Sequence, residues 1–79
     1  MKILEFDSGN TRLKWRLLED GRVHTRGFIL NNNDWGIALG HVMGQITPID
    51  CVMASIVSGS ERLALLREAT SKYLDVPFY

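Results

Sequence analysis

Asp7-Ser8-Gly9-Asn10-Thr11-Arg12-Leu13-Lys14-Trp15 follows directly on the apolar run Ile3-Leu4-Glu5-Phe6. An acid ends a buried strand, a glycine turn follows, and a hydroxyl and a lysine stand on the returning strand. Those are the parts needed to hold a metal-bound nucleotide phosphate. Asp7 can hold a cation directly or through its water shell. Gly9 lets backbone N–H groups approach an anion closely. Asn10 tolerates the left-handed backbone that hairpin turns need, Thr11 offers a small hydroxyl, and Lys14 a point positive charge. Asp-Ser-Gly-Asn is equally ordinary turn chemistry between two strands. That simpler reading accounts for the turn. It does not account for an acid at the end of an apolar strand, or for a lysine at that interval.

The elements that must position these residues can be read from periodicity. Residues 3–7 form a central strand. Residues 11–18 alternate, with Thr11, Leu13, Trp15 and Leu17 on one face and Arg12, Lys14 and Arg16 on the other, as in a half-buried strand. Glu19-Asp20-Gly21 is a hairpin turn, and residues 22–30 return as a third strand with Val23, Thr25, Gly27 and Ile29 opposite His24, Arg26 and Phe28. Asn31-Asn32-Asn33-Asp34 is a loop that supplies a helix cap. Trp35, Leu39, Val42, Met43 and Ile46 then recur at helical spacing until Thr47-Pro48 stops the helix. Gly36, Gly40 and Gly44 on that helix invite close packing against the sheet or a second helix. Residues 50–57 are a continuous apolar run, the mark of a buried parallel strand. Ser58-Gly59-Ser60-Glu61 resembles a capping box ahead of a second helix faced by Leu63, Leu66, Ala69, Thr70 and Tyr73. Residues 76–79 begin a further strand. The order β-β-β-α-β-α-β, an α/β arrangement with a mixed sheet and helices packed on it, is that of a ribonuclease-H-like unit, which is also half of an actin-like ATPase.

Composition narrows the function classes. The 79 residues suffice for one small domain, which at this size buries only about 60–65% of its unfolded surface. Nine basic and nine acidic residues give a formal net charge of zero, so no general attraction to nucleic acid or membrane is expected. Residues 1–30 carry six Lys/Arg against four acids, a small local excess near the glycine turn that suits a phosphate ligand. The single cysteine, Cys51, cannot form an internal disulfide and reads as a buried small hydrophobe in a reducing compartment. His24 and His41 lack metal-ligand spacing, so no zinc site is expected, and Trp15 and Trp35 read as core or interface residues rather than base-stacking platforms. Lys2 is followed by only two apolar residues before Glu5, unlike a signal peptide, and no apolar stretch reaches the roughly 20 residues of a membrane span. The expected location is cytoplasmic.

Asp7-x-Gly9-Asn10-Thr11-x-x-Lys14 also resembles the first phosphate motif of the type III pantothenate kinases, also called Bvg accessory factors. These belong to the actin/sugar-kinase/acetate-kinase ATPase superfamily. Trp15-Arg16 resembles the continuation in the proteobacterial branch. The resemblance implies an N-terminal ribonuclease-H-like domain over residues 1–79, forming most of the first half of a two-domain kinase. It implies ATP with Mg2+, a monovalent cation (K+ or NH4+), and phosphoryl transfer to pantothenate in coenzyme A biosynthesis. It would place Asp7 at the metal, with Ser8, Gly9, Asn10, Thr11, Arg12, Leu13 and Lys14 around the ATP phosphates. The family's catalytic Gly-x-Asp-Arg motif does not occur among the 79 residues, and Ser55-Ile56-Val57-Ser58 matches the family's Ser-Val-Val-Pro stretch without its proline. The isolated chain is therefore expected to be inactive and to self-associate, as a homodimer or by exchanging elements. Another kinase of the superfamily, or a non-catalytic transcription accessory protein, are the alternative readings.

Overall fold

Alternation along the first strand sets the architecture. In β1 (Lys2–Ser8) the side chains of Leu4, Phe6 and Ser8 turn to one face and are fully buried, while Asp7 turns to the other and is exposed. The computed structural model describes residues 1–46, 48–56 and 59–79. β1 is followed by β2 (Arg12–Glu19), β3 (Arg22–Leu30), α1 (Trp35–Ile46), β4 (Cys51–Ile56) and α2 (Gly59–Ser71). The strands lie in the order β3-β2-β1-β4, with β1 antiparallel to β2 and parallel to β4. The terminal residues continue this sheet. Val52 bridges Phe78 in parallel, with Val52 N–H donating to Pro77 O at 2.9 Å and Tyr79 N–H to Val52 O at 2.8 Å. The observed order is thus β-β-β-α-β-α-β, its last strand reduced to one bridge.

Both helices cover the same face of the sheet. Trp35, Leu39, Met43 and Ile46 of α1 and Leu66 and Ala69 of α2 join Leu4, Phe6, Leu13, Trp15, Leu17 and Ile29 in one core. The opposite face, carrying Glu5, Asp7, Arg12, Lys14, Arg16, Arg26 and Phe28, has no helix over it among the described residues. Asp34 caps α1, its Oδ1 accepting from Gly36 N–H at 2.8 Å and Ile37 N–H at 3.2 Å. The expected stop at Thr47, the strand end at Val57 and the cap at Ser58 lie outside the described residues.

Local chemistry explains the register. Asp20 and Gly21 both adopt positive φ, 53° and 83°, the left-handed pair that a two-residue hairpin needs to match strand twist. The Met1 amino group donates to Asp20 Oδ1 at 2.7 Å; this bond holds the Asp20 carboxyl below its ordinary range and the amine above its own. A bulge between Leu17 and Leu18 inserts His24 into β3, so that Leu17 pairs with Thr25 but Leu18 with Val23. The bulge corrects one expected feature. It breaks the alternation, and Val23, 44% exposed, does not join Thr25, Gly27 and Ile29 on the core face.

Two glycines are spaces for aromatic rings. A Cβ on Gly27 would stand 2.6 Å from the Trp15 ring, and one on Gly40 would stand 2.8 Å from the Tyr73 hydroxyl, which donates to Gly36 O at 2.7 Å. Gly44 meets nothing within 4 Å, so of the glycine series on α1 only Gly36 and Gly40 meet the segment after α2. Three atoms of the Trp15 ring stand within 3.0 Å of where the Gly27 Cβ would lie, and Trp15 is only 9% exposed. Gly27→Ala should therefore cost about 1–3 kcal/mol through overpacking, read as a lower urea midpoint with an unchanged slope.

Candidate functional site

The first hairpin places its polar residues at the open end of β1 and β2. Asp7 pairs in register with Lys14 on one side and with Ser55 of β4 on the other. Both Asp7 and Lys14 are exposed on the uncovered sheet face. Neither makes an ion pair among the described residues. Glu5, two residues back on the same face, is taken by Arg16, with Nη2 2.6 Å and Nε 2.7 Å from its Oε1. Arg12 is taken by Phe28, its guanidinium 4.8 Å from the ring centroid, a cation–π contact. An open cleft of about 500 Å³ runs between these groups, lined by Asp7, Arg12, Lys14, Arg16, Arg26 and Phe28. Among the described residues its free charges are thus one carboxylate, Asp7, with Lys14 and Arg26.

The turn itself differs from the expected one. Gly9 N–H donates to Arg12 O at 2.9 Å and closes the loop of Asn10 and Thr11. Positive φ occurs only at Asp20, Gly21 and Gly59 among the described residues, so Asn10 does not take the left-handed backbone its residue type suggested. The reason is that this turn is held from outside. Asn31 N–H donates to Thr11 O at 2.9 Å, and Gly9 O accepts from both Asn31 Nδ2 and Arg62 Nη1 at 3.0 Å. These bonds replace the twist that a left-handed pair would impose. A Cβ on Gly9 would meet only Arg12 O, at an ordinary 3.5 Å. Neither backbone angle nor crowding within the chain therefore demands glycine there.

The candidate ligands sort into three groups. Asp7, Asn10, Thr11 and Lys14 are exposed at the hairpin. Ser8 and Leu13, a register pair, turn their side chains into the core with no exposure, so only their main-chain groups can meet a ligand. Arg12 is exposed but engaged with Phe28. Asn31 and Arg62 had no functional signal in the sequence. Asn31 reads as loop, Arg62 as an ordinary helix cation, and only the sheet topology brings them to Gly9. They also line a second cavity of about 360 Å³ between α1 and α2, beside Trp35 and Glu68.

This arrangement can hold an anion. It offers main-chain N–H groups at a turn with a lysine alongside. No group of three His, Cys, Asp or Glu residues suited to a metal occurs among the described residues. A cation at Asp7 would need further oxygens from its ligand or from water, which is the habit of Mg2+ on phosphates. His24 and His41 are exposed, and Cys51 is a buried free thiol, as expected. No described helix is long and apolar enough to cross a membrane.

The fold is that of an actin-like ATPase half-domain. A proposed sugar kinase from Cytophaga hutchinsonii, known from its crystal structure, superposes with a TM-score of 0.62 over 99% of this chain and 35% of its own, at 16% identity. At that identity the likeness shows the fold. No family model matches the chain. The likeness to whole proteins is more particular: the chain is similar to type III pantothenate kinases. It is 34% identical to the enzyme of that name from Desulfovibrio desulfuricans over 88 aligned residues, 99% of this chain. It is 50% identical to that of Hahella chejuensis over 40 residues, 47% of this chain. The chain spans 33% of the length of the first of these relatives and the matched segment 17% of the second.

Because Asp7 and Lys14 are exposed and make no ion pair, they should be dispensable for folding. Asp7→Asn and Lys14→Met should each change unfolding free energy by less than about 0.5 kcal/mol, as measured by urea denaturation.

Proposed function

We propose that this chain carries the ATP-phosphate-binding hairpin of a pantothenate kinase, a phosphotransferase acting on the hydroxyl of pantothenate in coenzyme A biosynthesis. The observation that carries the reading is the pairing of Asp7 with Lys14, both unengaged among the described residues, at the mouth of a glycine turn in a chain similar to kinases of that name. The reading brings with it a cytoplasmic location.

Phosphoryl transfer depends on positioning and on neutralising phosphate charge. Lys14 would set its ammonium against the phosphate oxygens. The amides of the Gly9 turn would donate to them at close range, since Gly9 carries no Cβ to hold a ligand away. Asp7 would hold Mg2+ through one carboxylate, with water and phosphate completing its shell, a donor set that fits this ion. When bound, the metal neutralises charge on the phosphates. Ser8 and Leu13 would contribute their backbone, while their side chains keep the hairpin seated on the core. A monovalent cation, K+ or NH4+, completes the requirement by family resemblance. The base that takes the pantothenate proton, and the pantothenate pocket, would come from outside these 79 residues.

The test is a coupled assay with pantothenate, ATP, Mg2+ and K+, run on the product of the complete gene and on the 79-residue chain. The complete product should turn over. Asp7→Asn should reduce kcat/KM by at least about a hundredfold, in the range for losing a charge-positioning group, and the 79-residue chain should show no turnover. A folded, inactive complete product would sink the kinase reading and favour a non-catalytic accessory role. The uncovered sheet face and the free edge of β3 should also make the 79-residue chain self-associate. A single monomeric mass in light scattering across a hundredfold concentration range would refute that.

A further inference from the structure

The Gly9 carbonyl receives an unusual amount of attention from distant parts of the chain. Asn31, at the end of β3, donates its Nδ2 to it at 3.0 Å across 22 residues. Arg62, in the first turn of α2, donates Nη1 to it at 3.0 Å across 53 residues. Asn31 also donates its backbone N–H to Thr11 O at 2.9 Å. The carbonyls on both sides of the turn are thereby satisfied from the protein side. The amides of Asn10 and Thr11, by contrast, donate to no acceptor among the described residues.

The peptide unit that joins Gly9 to Asn10 links these facts. Its oxygen is Gly9 O, and its N–H is that of Asn10. A guanidinium donating to the oxygen is a charge-assisted bond. It draws electron density through the amide, and hydrogen bonds in series polarise one another. The Asn10 N–H becomes a stronger donor, and an oxygen that would repel an anion is turned away and screened by positive charge. We propose that Arg62 and Asn31 are positioning residues of the phosphate site: by taking up the Gly9 carbonyl they present the Asn10 amide to a nucleotide phosphate. Neither residue touches the ligand in this role. The proposal rests on the reading of the hairpin as an ATP-phosphate site and adds to it a part that α2 and the end of β3 supply.

Arg62 is partly buried rather than core, so its removal tests the site without dismantling the fold. The experiment uses the product of the complete gene in four forms besides wild type: Arg62→Ala, Arg62→Lys, Asn31→Ala and Asp7→Asn. Calorimetric titration with Mg-ATP, the Asn10 amide resonance and its exchange rate, and the urea midpoint are read on each. Arg62→Ala should weaken Mg-ATP binding about tenfold, the scale of one charge-assisted hydrogen bond. In the free protein the Asn10 amide proton should move upfield and exchange more slowly, as a less polarised amide is less acidic. Arg62→Lys should recover binding to within about threefold, because an ammonium donates to the same oxygen, and Asn31→Ala should lose less than Arg62→Ala because its bond is neutral. KM for pantothenate should stay within twofold throughout. An Asn10 resonance that moves while Mg-ATP affinity holds overturns the positioning role and leaves the bond structural. Equal losses of nucleotide affinity, pantothenate KM and urea midpoint overturn it in favour of packing. If wild type binds Mg-ATP, Asp7→Asn does not, and Arg62→Ala binds it as tightly as wild type, the clamp fails and the phosphate site stands. If wild type binds no Mg-ATP, both fall.

Discussion

Two-residue alternation along β1 governs where every other part can go. Leu4, Phe6 and Ser8 occupy one face and Glu5 and Asp7 the other, and a slip of one residue would exchange them. The strand cannot slip, because it is paired on both edges, antiparallel to β2 and parallel to β4. At its start, Lys2 N–H donates to Asp50 Oδ2 at 2.7 Å while Asp50 N–H donates to Lys2 O at 2.9 Å. Exposing Leu4 and Phe6 would forfeit about 1.5–3 kcal/mol for each, a large share of the stability of a domain this small. The hydrophobic residues of β1 therefore keep the carboxylate of Asp7 on the uncovered face and in register with Lys14.

The two faces of the sheet divide the work. One carries both helices and the core. The other is polar, and packing there sorts charges rather than burying surface. Arg16 is spent on Glu5 and Arg12 on Phe28. Exposed pairs of this kind contribute little to stability. Their consequence is selective: they engage the neighbours of Asp7 and Lys14 and leave those two side chains without partners among the described residues. A carboxylate and an ammonium left unpaired side by side suit a ligand that brings both a cation and phosphate oxygens.

The same division explains the hairpin tip. A two-residue turn left to itself takes left-handed angles, as Asp20-Gly21 does at the far end of β2. The Asn10-Thr11 turn is gripped by β3 and α2 instead, so its carbonyls face the protein and its amides are left over. The two ends of β2 thus carry turns of different construction, one dictated by local sequence and one by contacts across the fold.

What the sequence by itself determined is the set of short-range features. Alternation marked β2. Asp20-Gly21 marked its hairpin, Asp34 the cap of α1, and the spacing of Trp35, Leu39, Met43 and Ile46 the buried stripe. The acid, glycine and lysine around Gly9 marked a candidate phosphate turn. Each follows from residues a few positions apart, where side-chain direction and backbone preference are local properties. What only the tertiary structure decided lies beyond that range. The bulge at Leu17/Leu18 re-aimed Val23, because pairing across two strands, not alternation within one, sets the face. Ser8 lost its hydroxyl to the core, although its neighbour Asp7 stayed outside. Asn10 kept an ordinary backbone because Asn31 and Arg62 hold the turn from 22 and 53 residues away. Periodicity carries no information about which helix cation will meet which carbonyl. That is settled only when the crossovers have folded, and the packing of α2 against the sheet brings its first turn to Gly9.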